Sequence, residues 1–169
     1  MLYLPSWAAS PEDHPAVPEI LDRAESLFLS MKARDYPAIF AVLSAKSRET
    51  IVAETTSALA TVAKQARPGE PTAAETPSAL ARTPAPGLEV VRSDFIAGGP
   101  IARDYWDAFL RRFDPEAALE HSRWEIGSVG KDRAEILLTH QGADHPATLK
   151  MFREDSSWRA GLVETFWSR

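Results

Sequence analysis

The 169-residue chain contains no cysteine and no long apolar run. Without cysteine there can be no disulfide, no thiolate metal ligand and no cysteine nucleophile, whatever the compartment. A membrane-spanning helix needs roughly 20 predominantly apolar residues, and no segment approaches this length, so we expect no membrane span. The glycine-rich motifs of nucleotide-binding loops and the Gly-x-Ser-x-Gly motif of serine hydrolases are also missing, which leaves those activities without support.

Basic residues are in the minority, since 19 Lys and Arg stand against 24 Asp and Glu and the formal net charge is -5. The basic residues are dispersed, whereas phosphate binding requires clustered Lys and Arg, so we expect no nucleic-acid partner. His140, Asp144 and His145 lie close together, but they share one loop and lack a fourth ligand. We therefore expect no metal site and no cofactor.

The N-terminal residues 1–10 resemble the end of a secretory signal peptide, with Ser6-Trp7-Ala8 as a small-x-small cleavage pattern. They lack the basic segment and the full apolar core of such a signal. We interpret residues 1–16 as a flexible arm of one domain spanning residues 1–169, with a cytoplasmic location as the default. Export is the alternative, and a start codon assigned too late in the gene would favour it.

Apolar residues recur at helical spacing in four segments. Pro18 suits the opening turn of the first helix, and a short second helix is predicted to follow Pro37. The third helix is thinner and Ala-rich, and we expect the hydroxyl of Ser47 to cap it. The fourth, predicted at residues 101–113, begins after the stop signal Gly98-Gly99-Pro100.

Two segments between these helices break the helical pattern. Residues 67–87 contain five prolines scattered among Ala, Thr, Glu and Gly. Repeated prolines disfavour both helix and sheet, so we predict a Pro-rich surface insertion here. The short apolar run at residues 88–91 is interpreted as a strand.

From Arg123 to Trp167 the apolar period changes to two, which predicts four consecutive antiparallel strands. We place a two-residue turn at Asp155-Ser156 between the last two strands, so that Arg153 pairs with Trp158. The alternation then assigns five residues of the final strand to the core face: Trp158, Ala160, Leu162, Glu164 and Phe166.

This register brings two polar side chains into the same row. A loop at residues 141–146 places His140 opposite Ala147, which in turn lies opposite Glu164. Strands lie about 4.8 Å apart, so the imidazole and the carboxylate would be on the order of 10 Å apart at the backbone. We take His140 and Glu164 as candidate general acid and base groups; the alternative is that both are rim residues that reach solvent.

The order of elements and the ending Arg153-Glu154-Asp155-Ser156-Ser157-Trp158-Arg159-Ala160-Gly161-Leu162 resemble the NTF2-like superfamily of cone-shaped α+β folds. The resemblance covers the first helices and residues 101–167, and the insertion at residues 67–87 departs from it. It implies an α+β fold in which N-terminal helices pack on a curved antiparallel sheet that ends in a four-strand meander. It also implies a pocket between the concave sheet face and the helices, lined by Phe28, Tyr105, Trp106, Trp124, His140, Glu164 and Phe166.

Three functions are compatible with this pattern. The first is binding of a small apolar molecule in the cone. The second, drawn from the activities of the resembled family, is an isomerase, dehydratase or hydrolase reaction that uses Glu164 and His140. The third is a protein-interaction role, in which the outward face of the sheet pairs two copies into a homodimer. The expected interface residues are Leu137, Phe152, Val163 and Trp167.

Overall fold

The computed structural model describes residues 10–65 and 84–167. Most of the predicted arm and insertion therefore lies outside the described residues. A 3-10 turn at Pro11–Asp13 comes first, and the helices and strands follow in this order: α1 (Val17–Ala33), α2 (Tyr36–Val42), α3 (Ala45–Gln65), α4 (Leu88–Ala97), α5 (Pro100–Leu110), α6 (Pro115–Glu120), β1 (Ser122–Val129), β2 (Arg133–His140), β3 (Ala147–Glu154), β4 (Ser157–Gly161) and α7 (Leu162–Phe166).

Helices α1, α2, α3 and α5 form where the apolar spacing predicts helices. α1 has a proline in its first turn and buries one stripe of apolar residues, and it contacts α2, α6 and β4. The buried residues of this stripe are Val17, Ile20, Ala24, Leu27, Phe28 and Met31. The stripe joins the helices to the sheet in one hydrophobic core.

The strand predicted at residues 88–91 is wrong, because these residues form the first turn of α4. Val91 and Phe95, one helical turn apart, are fully buried, so the short apolar run is one face of a helix. Gly98 ends α4 in the left-handed region with φ of 68°, and a Cβ at this position would lie 2.6 Å from the Pro37 ring. Glycine is therefore required here both by conformation and by space.

The four strands form an antiparallel sheet in the order β1-β2-β3-β4. Together with the helices, this confirms the predicted α+β class and the four-strand meander. The face of the sheet that packs on the helices is closely filled, because six of its side chains are at most 2% exposed. These are Ala134, Ile136, Leu149, Met151, Trp158 and Ala160.

The turn between β3 and β4 is the one predicted from the sequence. Asp155 and Ser156 link the strands, Glu154 pairs with Ser157, and Arg153 pairs with Trp158. Both turn residues have positive φ, 48° and 63°, as a type I′ hairpin turn requires. The register at this end of the hairpin is therefore confirmed.

The final strand ends much earlier than the alternation predicts. β4 stops at Gly161, and residues 162–166, which include Glu164 and Phe166, form the short helix α7. Two side chains accept hydrogen bonds at this break: Thr165 Oγ1 of α7 accepts from the backbone N–H of Lys150 in β3 at 3.0 Å, and Ser47 Oγ of α3 accepts from that of Val163 at 3.0 Å. The assignment of faces beyond Gly161 was therefore wrong.

The predicted pairing of β2 with β3 is shifted by two residues. Ala147 lies opposite Leu138, and His140 pairs instead with Ser122 of β1. The reason is that the end of β2 extends past β3 and is paired only with β1. A shift of two preserves the faces, so Ile136 and Leu138 point toward the helices as predicted.

The edge of the sheet at β4 is covered by the junction of α2 and α3. Ser44 donates its backbone N–H to the carbonyl of Ala160 at 2.9 Å, and Leu43 forms an isolated parallel bridge to the same residue. This contact places the first turn of α3 beside β4 and α7. Among the described residues, no helix has the length and apolarity that a membrane crossing requires.

Candidate functional site

The first turn of α3 is where segments distant in sequence meet. Ser44 precedes the helix, and its Oγ accepts the backbone N–H of Ser47 at 3.1 Å, which is the geometry of an N-cap. The predicted cap, Ser47, instead lies inside the first turn and is fully buried. The helix therefore starts three residues earlier than a cap at Ser47 would place it, and the Ser47 hydroxyl is directed toward α7.

Both serine hydroxyls donate to the carboxylate of Glu164. Ser44 Oγ lies 2.8 Å from Oε1, and Ser47 Oγ lies 2.6 Å from Oε2. The Ser47 oxygen also accepts the backbone N–H of Val163, so one hydroxyl links α3 to α7 in both directions. Glu164 is thus half-buried at the positive end of the α3 dipole.

A second carboxylate binds the same helix end. Both oxygens of Glu154, the last residue of β3, lie 3.0 Å from the backbone nitrogen of Ala45 and accept its N–H. Arg48 Nη2 is 4.0 Å from Glu154 Oε2, beyond hydrogen-bond distance. The N–H groups at the start of an α-helix have no acceptor within the helix. Here the side chains of Glu154 and Ser44 provide acceptors for two of these groups, those of Ala45 and Ser47.

Beside this junction lies an open cleft of about 650 Å³, which we call the outer cleft. It runs between the outward face of β2 and β3 and the helix α7. Its lining residues are Lys46, Arg133, Ala134, Glu135, Lys150, Met151, Phe152, Glu154, Val163, Glu164 and Trp167. A cleft of this size is within the range of roughly 300–1,000 Å³ typical of ligand sites.

The outer cleft contains three cationic and three anionic side chains, which differ in their bonding. The carboxylates Glu154 and Glu164 accept the hydrogen bonds described above, and Glu135 Oε2 lies 3.3 Å from Ser128 Oγ. The cationic side chains are Lys46, Arg133 and Lys150, and none of them forms an ion pair within 4.0 Å among residues 10–65 and 84–167. The cations are therefore available to a partner.

Two aromatic residues complete the outer cleft. The Phe152 ring covers Gly161, where a Cβ would lie 2.4 Å from a ring carbon, so glycine is needed for this close approach. Trp167 stacks on Phe109 with centroids 6.3 Å apart and remains 39% exposed. The cleft thus has apolar surface among its charges.

The aromatic residues predicted to line an interior pocket lie mainly in the core. Phe28 and Trp106 are at most 1% exposed, and Phe28 packs edge-on against Trp124 at 5.5 Å. Tyr105 packs edge-on against Trp106 at 5.0 Å, whereas Phe166 is 48% exposed. None of these five residues lines the outer cleft. Their role in ligand binding stays a prediction.

The two candidate acid/base groups are not brought together. Glu164 lines the outer cleft, but His140 is exposed at the far end of β2, in a separate cleft that also contains His121. His140 is five positions from Glu135, the nearest of the three β2 residues that line the outer cleft, which corresponds to roughly 16 Å along the strand. The predicted row of His140, Ala147 and Glu164 is therefore wrong.

Of the four predicted interface residues, three line the outer cleft: Phe152, Val163 and Trp167. Val163 is not on the outward face of a strand as predicted, because it belongs to α7 and is only 8% exposed. Leu137 is on the outward face of β2, where it packs against Gly127. The outer cleft and the predicted interface therefore overlap.

Sequence reasoning missed the contributions of Ser44, Lys46 and Glu154. A serine directly before a helical segment is a recognisable cap signal, so Ser44 could have been found. The contact of Glu154 with Ala45 joins positions 109 apart in the chain and leaves no local signal.

Within the described part of the chain, no group of three His, Cys, Asp or Glu side chains is placed to hold a metal ion. No protein-family model, curated protein or solved structure matches this chain.

Proposed function

We propose that this chain is a binding domain that forms a homodimer through the outer cleft. The main support is the composition of that cleft, in which Phe152 and the exposed Trp167 lie among three cations and three carboxylates. Aromatic anchors surrounded by polar groups are typical of protein interfaces. A second copy of the chain is the occupant that this composition fits best.

The balance of charges favours self-pairing. In a dimer with two-fold symmetry, the same patch lies on both sides, so a patch of one sign would repel itself. The outer cleft instead carries both signs, with three cations and three carboxylates, so each copy can present its cations to the carboxylates of the other. Charge complementarity of this kind orients an interface and speeds association.

Binding of a small apolar molecule inside the cone is the alternative, and it has less support. Six inward-facing residues of the sheet are at most 2% exposed, so a ligand would have to displace packed side chains. An acid/base reaction that uses His140 and Glu164 together is also less supported, because the two groups line different clefts. Mass spectrometry of natively purified protein tests the ligand alternative, since it would detect a retained small molecule.

The homodimer is tested by measuring the mass in solution with light scattering during size exclusion. We expect the wild type to have the mass of a dimer, and Phe152→Glu and Trp167→Lys to have that of a monomer, because each buries a charge in the interface. Val62→Lys is the matched control: Val62 is 62% exposed on α3, outside the outer cleft, and its replacement should leave the dimer intact. A monomeric wild type, or dimers of both cleft variants, would contradict the proposal.

A further inference from the structure

A third cleft, of about 340 Å³, lies among α2, α3 and α4, beside the first turn of α3. We call it the arginine cleft. Its lining residues are Pro37, Phe40, Ala41, Ala45, Arg48, Glu49, Arg92 and Ile96. None of these residues lines the outer cleft, so the arginine cleft is a separate site from the proposed dimer contact.

The two guanidinium groups in this cleft have donors to spare. Arg48 approaches Glu154 only to 4.0 Å, and Arg92 Nε is 3.7 Å from Glu89 Oε1, both beyond hydrogen-bond distance. Arg92 Nε is buried and has no hydrogen-bond partner among the described residues. A buried donor without an acceptor is unfavourable, and a nearby negative charge would offset part of that cost.

Apart from Glu49, the rest of the cleft is apolar. Phe40 forms part of its wall and is 5% exposed, while Ile96 is 60% exposed even though the neighbouring Phe95 of α4 is fully buried. Pro37 and Ala41 add further hydrocarbon surface. An exposed isoleucine facing a cleft next to two cations gives one surface with an apolar and a cationic part.

From these features we infer that the arginine cleft binds a small amphipathic carboxylate, with its carboxylate on Arg48 and Arg92 and its alkyl chain against Phe40 and Ile96. The planar guanidinium group donates two parallel hydrogen bonds that match the geometry of a carboxylate. The volume, about 340 Å³, suits a short-chain ligand. Glu49 also lines the cleft, and its carboxylate disfavours ligands with a second negative charge.

Octanoate is the probe, and its binding is measured by isothermal titration calorimetry. We expect octanoate to bind, while octylammonium, which has the same chain and the opposite charge, does not. Acetate, which has the carboxylate without the chain, should bind at least about tenfold more weakly, because each buried methylene contributes to affinity. The methyl resonance of Ile96 should shift on binding and that of Ile136, in the core, should not. This locates the ligand in the cleft.

Arg92→Gln is the main variant, because Arg92 lies in this cleft and has no contact with the outer cleft. It should weaken octanoate binding by about tenfold or more, since a charge-assisted hydrogen bond is lost. Ile96→Asp should weaken it further, and Arg103→Gln, an exposed arginine on α5, is the matched control. Far-ultraviolet circular dichroism verifies that each variant is folded.

Three results would each overturn the inference: no octanoate binding by the wild type, equal binding of octylammonium, or unchanged affinity in both Arg92→Gln and Ile96→Asp. A shift at Ile136 instead of Ile96 would place the ligand in the sheet core and would likewise overturn it. None of these results depends on the oligomeric state, so they are distinguishable from a failure of the homodimer proposal.

Discussion

The buried hydroxyl of Ser47 connects α3 to α7. It donates to Glu164 and accepts from Val163, and it is fully buried. In Ser47→Ala the N–H of Val163 loses its acceptor and the carboxylate loses a donor. We expect a loss of about 1–3 kcal/mol in the free energy of unfolding.

Urea denaturation measures this change, with an unchanged dependence on urea as the sign that both states keep their compactness. Thr61→Ala is the control, because that hydroxyl donates only to the carbonyl of Ser57 on the exposed side of the same helix. Its effect should stay within about 0.5 kcal/mol. Equal effects of the two substitutions would show that the link between α3 and α7 contributes little.

The sequence identifies Glu164 as a candidate polar residue of the site, but it assigns the wrong partners to its carboxylate. Strand alternation placed its carboxylate on the sheet face, whereas α7 turns it toward Ser44 and Ser47. The two serines that bind Glu164 precede it by 120 and 117 positions in the chain, so no local sequence pattern indicates these contacts.

The hairpin of β3 and β4 is the element whose structure could be predicted most completely. Its two strands alternate clearly, and the turn residues Asp155 and Ser156 are turn formers. The end of β4 could not be predicted, because Ala160, Leu162, Glu164 and Phe166 continue a period of two while a five-residue helix is too short to show a period of 3.6.

The turn itself offers a stabilising substitution. Asp155 and Ser156 both adopt left-handed conformations, with φ of 48° and 63°, that are unfavourable for most residues. Asn and Gly are the preferred residues of a type I′ turn. We expect the double variant Asp155→Asn with Ser156→Gly to raise the free energy of unfolding by about 1 kcal/mol, since the relief of strain exceeds the entropy that glycine adds to the unfolded chain.

Thermal and urea unfolding both report this gain. Gly142→Ala provides the opposite case: Gly142 also has a positive φ, 82°, with open space around it, so alanine should destabilise through conformation alone. If the double turn variant were less stable than the wild type, the strain attributed to Asp155 and Ser156 would not exist.

For the whole molecule, the α+β class followed from the sequence because the change from helical spacing to alternation is strong near Arg123. The faces of β2 and β3 were predicted correctly despite a register shift of two residues, since an even shift preserves the faces. Whether a cavity lies between the sheet and the helices could not be predicted, because this depends on how large side chains pack there. The rings of Trp106 and Trp158 are both at most 1% exposed.

Close packing of the core gives the whole molecule a dependence on alkaline pH. Burial raises the pKa of Tyr105, and the nearby charge of Glu54 raises it further. An unfolded tyrosine has a pKa of about 10, so the unfolded chain releases this proton at a lower pH than the folded one. Stability from this group is complete below pH 10 or so and is lost as the pH rises above it.

We therefore expect the free energy of unfolding of the wild type to fall more steeply above about pH 10 than that of Tyr105→Phe, which has no phenol to ionise at this position. The difference between the two slopes should be up to about 1.4 kcal/mol per pH unit. Other groups also titrate in this range, but they are common to both proteins, so the difference between the two curves isolates Tyr105. Urea denaturation from pH 7 to 11 measures both curves, and the absorbance of the phenolate follows ionisation directly. Parallel curves would mean that Tyr105 ionises as readily in the folded protein as in the unfolded chain, because only a raised pKa makes alkaline pH favour unfolding.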